Sequence, residues 1–151
     1  MRADAPPHDI GAESAILGSL LIDSENIKEI PFLEAPDFFI PENQLIFEAC
    51  LEIAKRGEPI DQITAARQLK DKDHLEEVGG VSYLSSLVAL CPTSLHAKYY
   101  ARIVRNLAIR RRLISAGQQI IDWACEEADA KTGVEFAENI ISRLRKDLSI
   151  S

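Results

Sequence analysis

The chain has little that would support chemistry of its own. Its three cysteines, Cys50, Cys91 and Cys125, are far apart, odd in number and form no CxxC pair. That argues against a disulfide framework or a zinc site, and they read as reduced, mostly buried small hydrophobes. No apolar run approaches the roughly eighteen residues a membrane helix needs. The opening residues, Met1-Arg2-Ala3-Asp4-Ala5-Pro6-Pro7, hold no apolar stretch of the secretory type. These absences predict a cytoplasmic protein with no membrane partner. The seven glycines form neither GxxxxGK[ST] nor GxGxxG, so no phosphate loop is expected. His8, His74 and His96 are not spaced with other ligands as a metal site requires. Glu76 and Glu77 are sequence neighbours, which do not face each other on a helix, and Ser85-Ser86 have no histidine at a useful position. No catalytic, cofactor-binding or metal-binding residue is expected, and the chain reads as something other than an enzyme.

Strand patterning is missing too. No segment alternates apolar and polar residues convincingly, so the fold class expected is all-α. An apolar helix is predicted over residues 13–22, with Gly18 inside it at a cost of about 1 kcal/mol that close helix packing would offset. Ser24 is a candidate cap for a short helix ending before Pro31, and Pro36-Asp37-Phe38-Phe39 a turn with two aromatic anchors. Pro41 begins a helix to Arg56 that Gly57 closes. Asp61 caps a helix over 62–72, Gly79-Gly80 supply backbone freedom, and a helix over 81–90 stops before Pro92.

The longest periodic segment is residues 94–127, free of proline and holding only Gly117. It reads as one amphipathic helix, capped by Thr93 or Ser94, of roughly 50 Å. A last helix over 132–148 is expected behind a capping box formed by Thr132 and Glu135. With a connection of about four residues, the two are antiparallel neighbours. The organisation predicted is a helical head, residues 1–92, followed by a projecting helical hairpin, residues 93–151. Net charge divides along the same line. Seventeen acids face seven bases in the first part and seven acids face ten bases in the second.

Ile109, Leu113 and Trp123 on the first hairpin helix, with Val134, Phe136 and Ile150 on the second, exceed what one seam buries. Surplus exposed apolar area marks interfaces. Self-association through the hairpin is therefore expected. The candidate partner and oligomer contacts are Leu113, Ile114, Ile120, Ile121, Trp123, Ile140 and Leu144, with Tyr83 on the head. Lys98, Arg102 and Arg105 share a helical face and are candidates for phosphate contact. The same three residues could equally pair with acids of the head or of a neighbouring subunit. A small DNA-binding module using the basic face of helix 94–127 is thus the alternative reading.

An ordered set of motifs resembles the opening of bacterial replicative DNA helicases of the DnaB type. It comprises Pro6-Pro7, Ile10-Gly-Ala-Glu13, Ala15-Ile-Leu-Gly18, Asp23, Pro36-Asp37-Phe38-Phe39 and Ile46-Phe47. It continues with Gly57-Glu58-Pro59-Ile60-Asp61, Leu75-Glu-Glu-Val-Gly-Gly80, Tyr83-Leu84, Pro92-Thr93, Tyr99-Tyr100-Ala-Arg-Ile-Val104 and Arg110-Arg111-Arg112-Leu113-Ile114. Phe39 stands where many relatives have tyrosine, and Asn43 where histidine is common. The resemblance implies the N-terminal scaffold domain of such a helicase. Its hairpins pair into dimers, three dimers form a hexameric collar, and the collar docks the C-terminal domain of primase and influences the helicase loader. It further implies that the RecA-like ATPase domain, with ATP, Mg²⁺ and most DNA contact, lies outside this chain. ATP-dependent unwinding would belong to the longer protein. A natural homologue or adaptor without the motor is the other form this resemblance allows.

Overall fold

The structure, a computed structural model, describes residues 5–126 and 129–150. Among them are six α-helices, two 3₁₀ helices and no strand. The helices are α1 (Ile10–Ile22), α2 (Pro41–Lys55), α3 (Gln62–Asp71), α4 (Gly80–Ala89), α5 (Ala97–Glu126) and α6 (Ala130–Ile150). The all-α expectation holds.

Helix α1 is apolar on nearly every side, and an all-round apolar helix belongs inside a fold. It packs against α2, α4 and α5 at once, with Ile16, Leu17 and Leu20 wholly buried. It starts earlier than the periodicity suggested, because Asp9 caps it by accepting the Ala12 N–H at 2.9 Å. Gly18 explains the intimacy of the α1–α4 contact. A Cβ there would lie 2.4 Å from the Leu87 carbonyl oxygen and 2.8 Å from Cys91 Cβ.

The short segment after α1 is 3₁₀, Ser24–Glu29, and its cap is Asp23 rather than Ser24. The Ser24 hydroxyl instead accepts the Ile60 N–H at 2.9 Å, tying this turn to the α2–α3 connection. The second 3₁₀ helix, Ala35–Asp37, carries a capping box made by Glu34 and Asp37. Helix α2 has no side-chain cap from its own lead-in. The buried Glu13 carboxylate of α1 serves there, accepting the Phe39 N–H at 2.6 Å, the Ile40 N–H at 3.3 Å and Asn43 Nδ2 at 2.9 Å. Buried charge is tolerable only when so satisfied. In α3 the Asp61 cap is reciprocated by Thr64.

Helix α5 begins at Ala97, three residues later than predicted. Thr93 and Ser94 are held in the preceding loop, where Ser19 Oγ donates to the Thr93 carbonyl and Asn26 Nδ2 to the Ser94 carbonyl. Its first half lies on the head. Ala101 and Val104 are members of the head's core, and the small residues Ala97, Ala101 and Ala108 are buried. Only the second half of α5 leaves the head, with α6 folded back along it. Trp123 stacks on Phe136 near the turn, while Arg105 meets Asp147 at the opposite end, so the pair is antiparallel. Asp129, not Thr132, stands before α6, and the Thr132 hydroxyl donates to its carboxylate. The predicted connection, residues 128–131, begins on residue 128, which with residue 127, the last of the predicted helix, lies outside the described residues.

A candidate assembly and docking surface on the hairpin

Two helices cannot bury a wide apolar arc, and α5 and α6 both carry one. On one broad face of the hairpin, Ile120 and Ala124 of α5 meet Val134 and Ala137 of α6 around an open groove of about 410 Å³. Trp123, Asp129 and the small residues Ala130 and Gly133 complete its walls. Gly133 lies so close under the Trp123 ring that a Cβ would be 2.8 Å from it. A second groove of about 450 Å³ continues along α6, lined by Val134, Ala137, Glu138, Ile141, Ser142 and Arg145. Val134 and Ala137 belong to both, so the two form one surface. Val134 is 60% exposed and Leu148 57%. These are large fractions for aliphatic side chains on regular helix. The side of α5 turned away from α6 carries a smaller apolar row, Ile114 and Ile121, at one heptad's spacing and both more than half exposed.

The predicted contacts divide. Leu113, Ile114 and Ile121 are exposed, and Ile120 and Trp123 stand half-buried at the first groove. Ile140 is corrected, being buried within the chain, and Leu144, one turn further on, is half-buried. The outward row of α6 is Val134, Ile141 and Leu148, one position over from the row that sequence reasoning chose. The seven-residue repeat of those three is the signal that finds it. Ile109, expected beyond the seam, is buried as well. Tyr83 is on the head, away from these residues. Its hydroxyl donates to Asn43 Oδ1 at 2.7 Å, and its ring lines a groove of about 380 Å³ between α1 and α4. Burial raises its pKa above the usual phenol value, which keeps that donor protonated.

The basic face of α5 also divides. Lys98 and Arg102 are exposed. Arg105 is only 2% exposed and is corrected as a nucleic-acid contact. Its Nη1 donates to both Asp37 carboxylate oxygens at 3.1 Å, and its Nη2 to the Asp147 carbonyl at 3.1 Å. Arg112 Nη2 reaches the same Asp37 carboxylate at 2.5 Å. Arg111 Nη2 donates to the Asp37 carbonyl at 2.7 Å, and its guanidinium sits over the Phe39 ring. His8 stacks on that ring too. Of the alternatives for Lys98, Arg102 and Arg105, pairing with acids of the head is the one Arg105 takes. The DNA-binding reading keeps Lys98 and Arg102 and loses its third member.

No cluster of metal-ligating side chains occurs among the described residues, and no helix there is long and apolar enough to cross a membrane.

Comparison with known proteins agrees with the resemblance in the sequence. A model of the family described as DnaB-like helicase N terminal domain matches residues 5–106. The chain is 34% identical over 144 residues to the replicative DNA helicase DnaB of Mycobacterium leprae, covering 95% of this chain and 23% of that protein. It is 40% identical over 137 residues to replicative DNA helicase DnaB of Geobacillus stearothermophilus, covering 83% of this chain and 30% of that one. The chain thus spans less than a third of these curated relatives. The crystal structure of the N-terminal domain of DnaB helicase from Mycobacterium tuberculosis superposes with a TM-score of 0.87 at 35% identity, over 92% of this chain and 99% of that one. A DnaB-like replicative helicase, whose structure was described together with its interactions with primase, matches with a TM-score of 0.76 at 26% identity, over 90% of this chain and 30% of that one.

Proposed function

The chain belongs to the family of DnaB-like helicase N-terminal domains, and on that premise we propose that it is the scaffold of a replicative helicase, joining subunits into a ring and docking primase. The observation that carries this is the continuous apolar face on a hairpin only two helices thick. A face of this kind gains free energy by being covered. In this reading, hairpins pair into dimers and three dimers close a hexameric collar, since oligomers favour closed symmetry. The C-terminal domain of primase docks on the hairpin surface that pairing leaves open, and the helicase loader acts on the same collar. ATP, Mg²⁺ and unwinding belong to a RecA-like motor outside residues 1–151. The head, residues 1–92, sets where the hairpin, residues 93–151, is held.

Light scattering on the purified chain, with and without the primase C-terminal domain, tests this. The expected result is self-association that Ile141→Asp weakens at least about thirtyfold while helicity is kept, since apolar anchors dominate such interfaces. An unchanged mass for Ile141→Asp together with no binding of primase would overturn the proposal.

A further inference from the structure

We infer that the outward face of the first half of α5 is a contact path for single-stranded nucleic acid, with Lys98, Arg102 and Arg110 on its phosphates and Tyr99 under a base. From Ala97 through Ile121 the chain has six cations and no acid. The structure divides those six by what they do. Arg105 and Arg112 are bound to the Asp37 carboxylate, and Arg111 to the Pro7 and Asp37 carbonyls. Lys98, Arg102 and Arg110 are exposed, and none of them makes an ion pair among the described residues. The division follows the helix. At about 100° per residue, the three bound cations lie on one side of α5 and the other three in an arc of about 120° opposite them.

Tyr99 and Asn106 fall inside that same arc, and both are exposed. Tyr99 is 64% exposed, with its ring propped by Tyr100 at 5.6 Å and an interplanar angle of 71°. Cations beside an open aromatic ring suit a single strand, whose phosphates meet the charges and whose unstacked base meets the ring. A duplex offers phosphates but no free base face. An acidic peptide would use the cations alone. The row spans roughly 18 Å from Lys98 to Arg110, enough to engage a few nucleotides. A net charge of -7 on the whole chain confines the contact to this face and keeps it weak and salt-dependent. The inference does not depend on how copies of the hairpin assemble.

Fluorescence anisotropy of labelled oligo(dT) with the full chain, over about 20 to 200 mM salt, tests this, with oligo(rU) and a DNA duplex alongside. Affinity is expected to fall with salt at a log–log slope of about -2, roughly 0.7 for each of three phosphates contacted. Arg102→Gln and Arg110→Gln are each expected to weaken binding about fivefold and to remove about 0.7 from that slope. Lys70→Gln, the same loss of charge at an exposed site on α3, changes neither. Tyr99→Ala is expected to weaken the single strand about fivefold or more and to leave the duplex unaffected. Circular dichroism confirms that each variant is folded. Binding of either oligonucleotide supports the contact, and the tighter of the two names the strand. No binding at the lowest salt overturns the inference, as does a Lys70→Gln effect as large as that of Arg102→Gln, or a Tyr99→Ala variant that binds unchanged. If Arg102→Gln and Arg110→Gln alter only the mass of the chain in solution, this face belongs to an acidic protein surface and the inference is likewise overturned.

Discussion

Arg102 and Arg105 lie three residues apart on one helix, yet one is solvated and the other is among the most buried side chains of the chain. Nothing local distinguishes them. The difference is Asp37, sixty-eight residues upstream, whose carboxylate is wholly buried between Arg105 and Arg112. Removing one partner of a buried pair leaves an uncompensated charge, which costs about 3–5 kcal/mol. Asp37→Ala is therefore expected to lower stability by that amount in urea unfolding, while Arg102→Ala stays within about 0.5 kcal/mol. Loss of under 1 kcal/mol from Asp37→Ala would show that solvent reaches the cluster. Cys50 is the opposite kind of buried residue, inert and unpaired. Burial pushes its thiol up to about 12, from an ordinary 9.0. Above pH 9 the unfolded chain releases that proton while the folded chain keeps it. Folding stability therefore falls as pH rises from 9 toward 12. Thermal melts of Cys50→Ala against the parent, from pH 8 to 11, are expected to show a shallower alkaline decline in the variant. Parallel curves would mean that the thiol does not titrate with unfolding.

At the scale of elements, periodicity located the regular helices well and their ends poorly. Pro41, Gly57 and Asp61 act as predicted because each works through its own backbone or a residue three away. The starts of α1 and α6 were displaced by Asp9 and Asp129, acids just outside the apolar pattern. The short helix expected after Ser24 is present as 3₁₀, but its cap is Asp23, because the Ser24 hydroxyl is engaged by Ile60, which no local rule reveals. Glycine separates structural need from tolerance. Gly18→Ala gains helix propensity of about 1 kcal/mol but drives a methyl into the Leu87 carbonyl. A net loss of about 1–3 kcal/mol is expected, with α4 displaced. Gly117 meets nothing within 4 Å of its would-be Cβ. Gly117→Ala is expected to raise the melting temperature by about 2–4 °C. A stabilised Gly18→Ala in the same melts would mean that α1 and α4 separate easily.

For the molecule as a whole, the sequence announced a long helix too exposed to stand alone, and the hairpin bears that out. Which of its sides faces outward was not legible. Ile140 and Ile141 are neighbours with equal hydropathy, and only the approach angle of α6 decides that the first is covered and the second open. The head's share of α5 was missed for a related reason. Small residues such as Ala101 and Ala108 look neutral in a pattern but are fully covered in the fold. Two outward rows on one hairpin predict two separable losses. Ile114→Asp, on the side of α5 away from α6, is expected to weaken binding of the primase C-terminal domain about tenfold or more with the oligomeric mass unchanged. Loss of mass with Ile114→Asp, or unchanged primase affinity, would assign that row differently.

The unbroken run of α5 has a mechanical meaning. One rod of about 45 Å starts inside the head and ends at the hairpin tip. Its companion α6 is pinned back to the head's edge where Arg105 holds the Asp147 carbonyl. A rod clamped along half its length and braced by a second strut bends little at its free end. Load applied at the tip therefore reaches α1 as torque, with the Asp37 cluster as fulcrum. The hairpin is built as a lever arm rooted in the head.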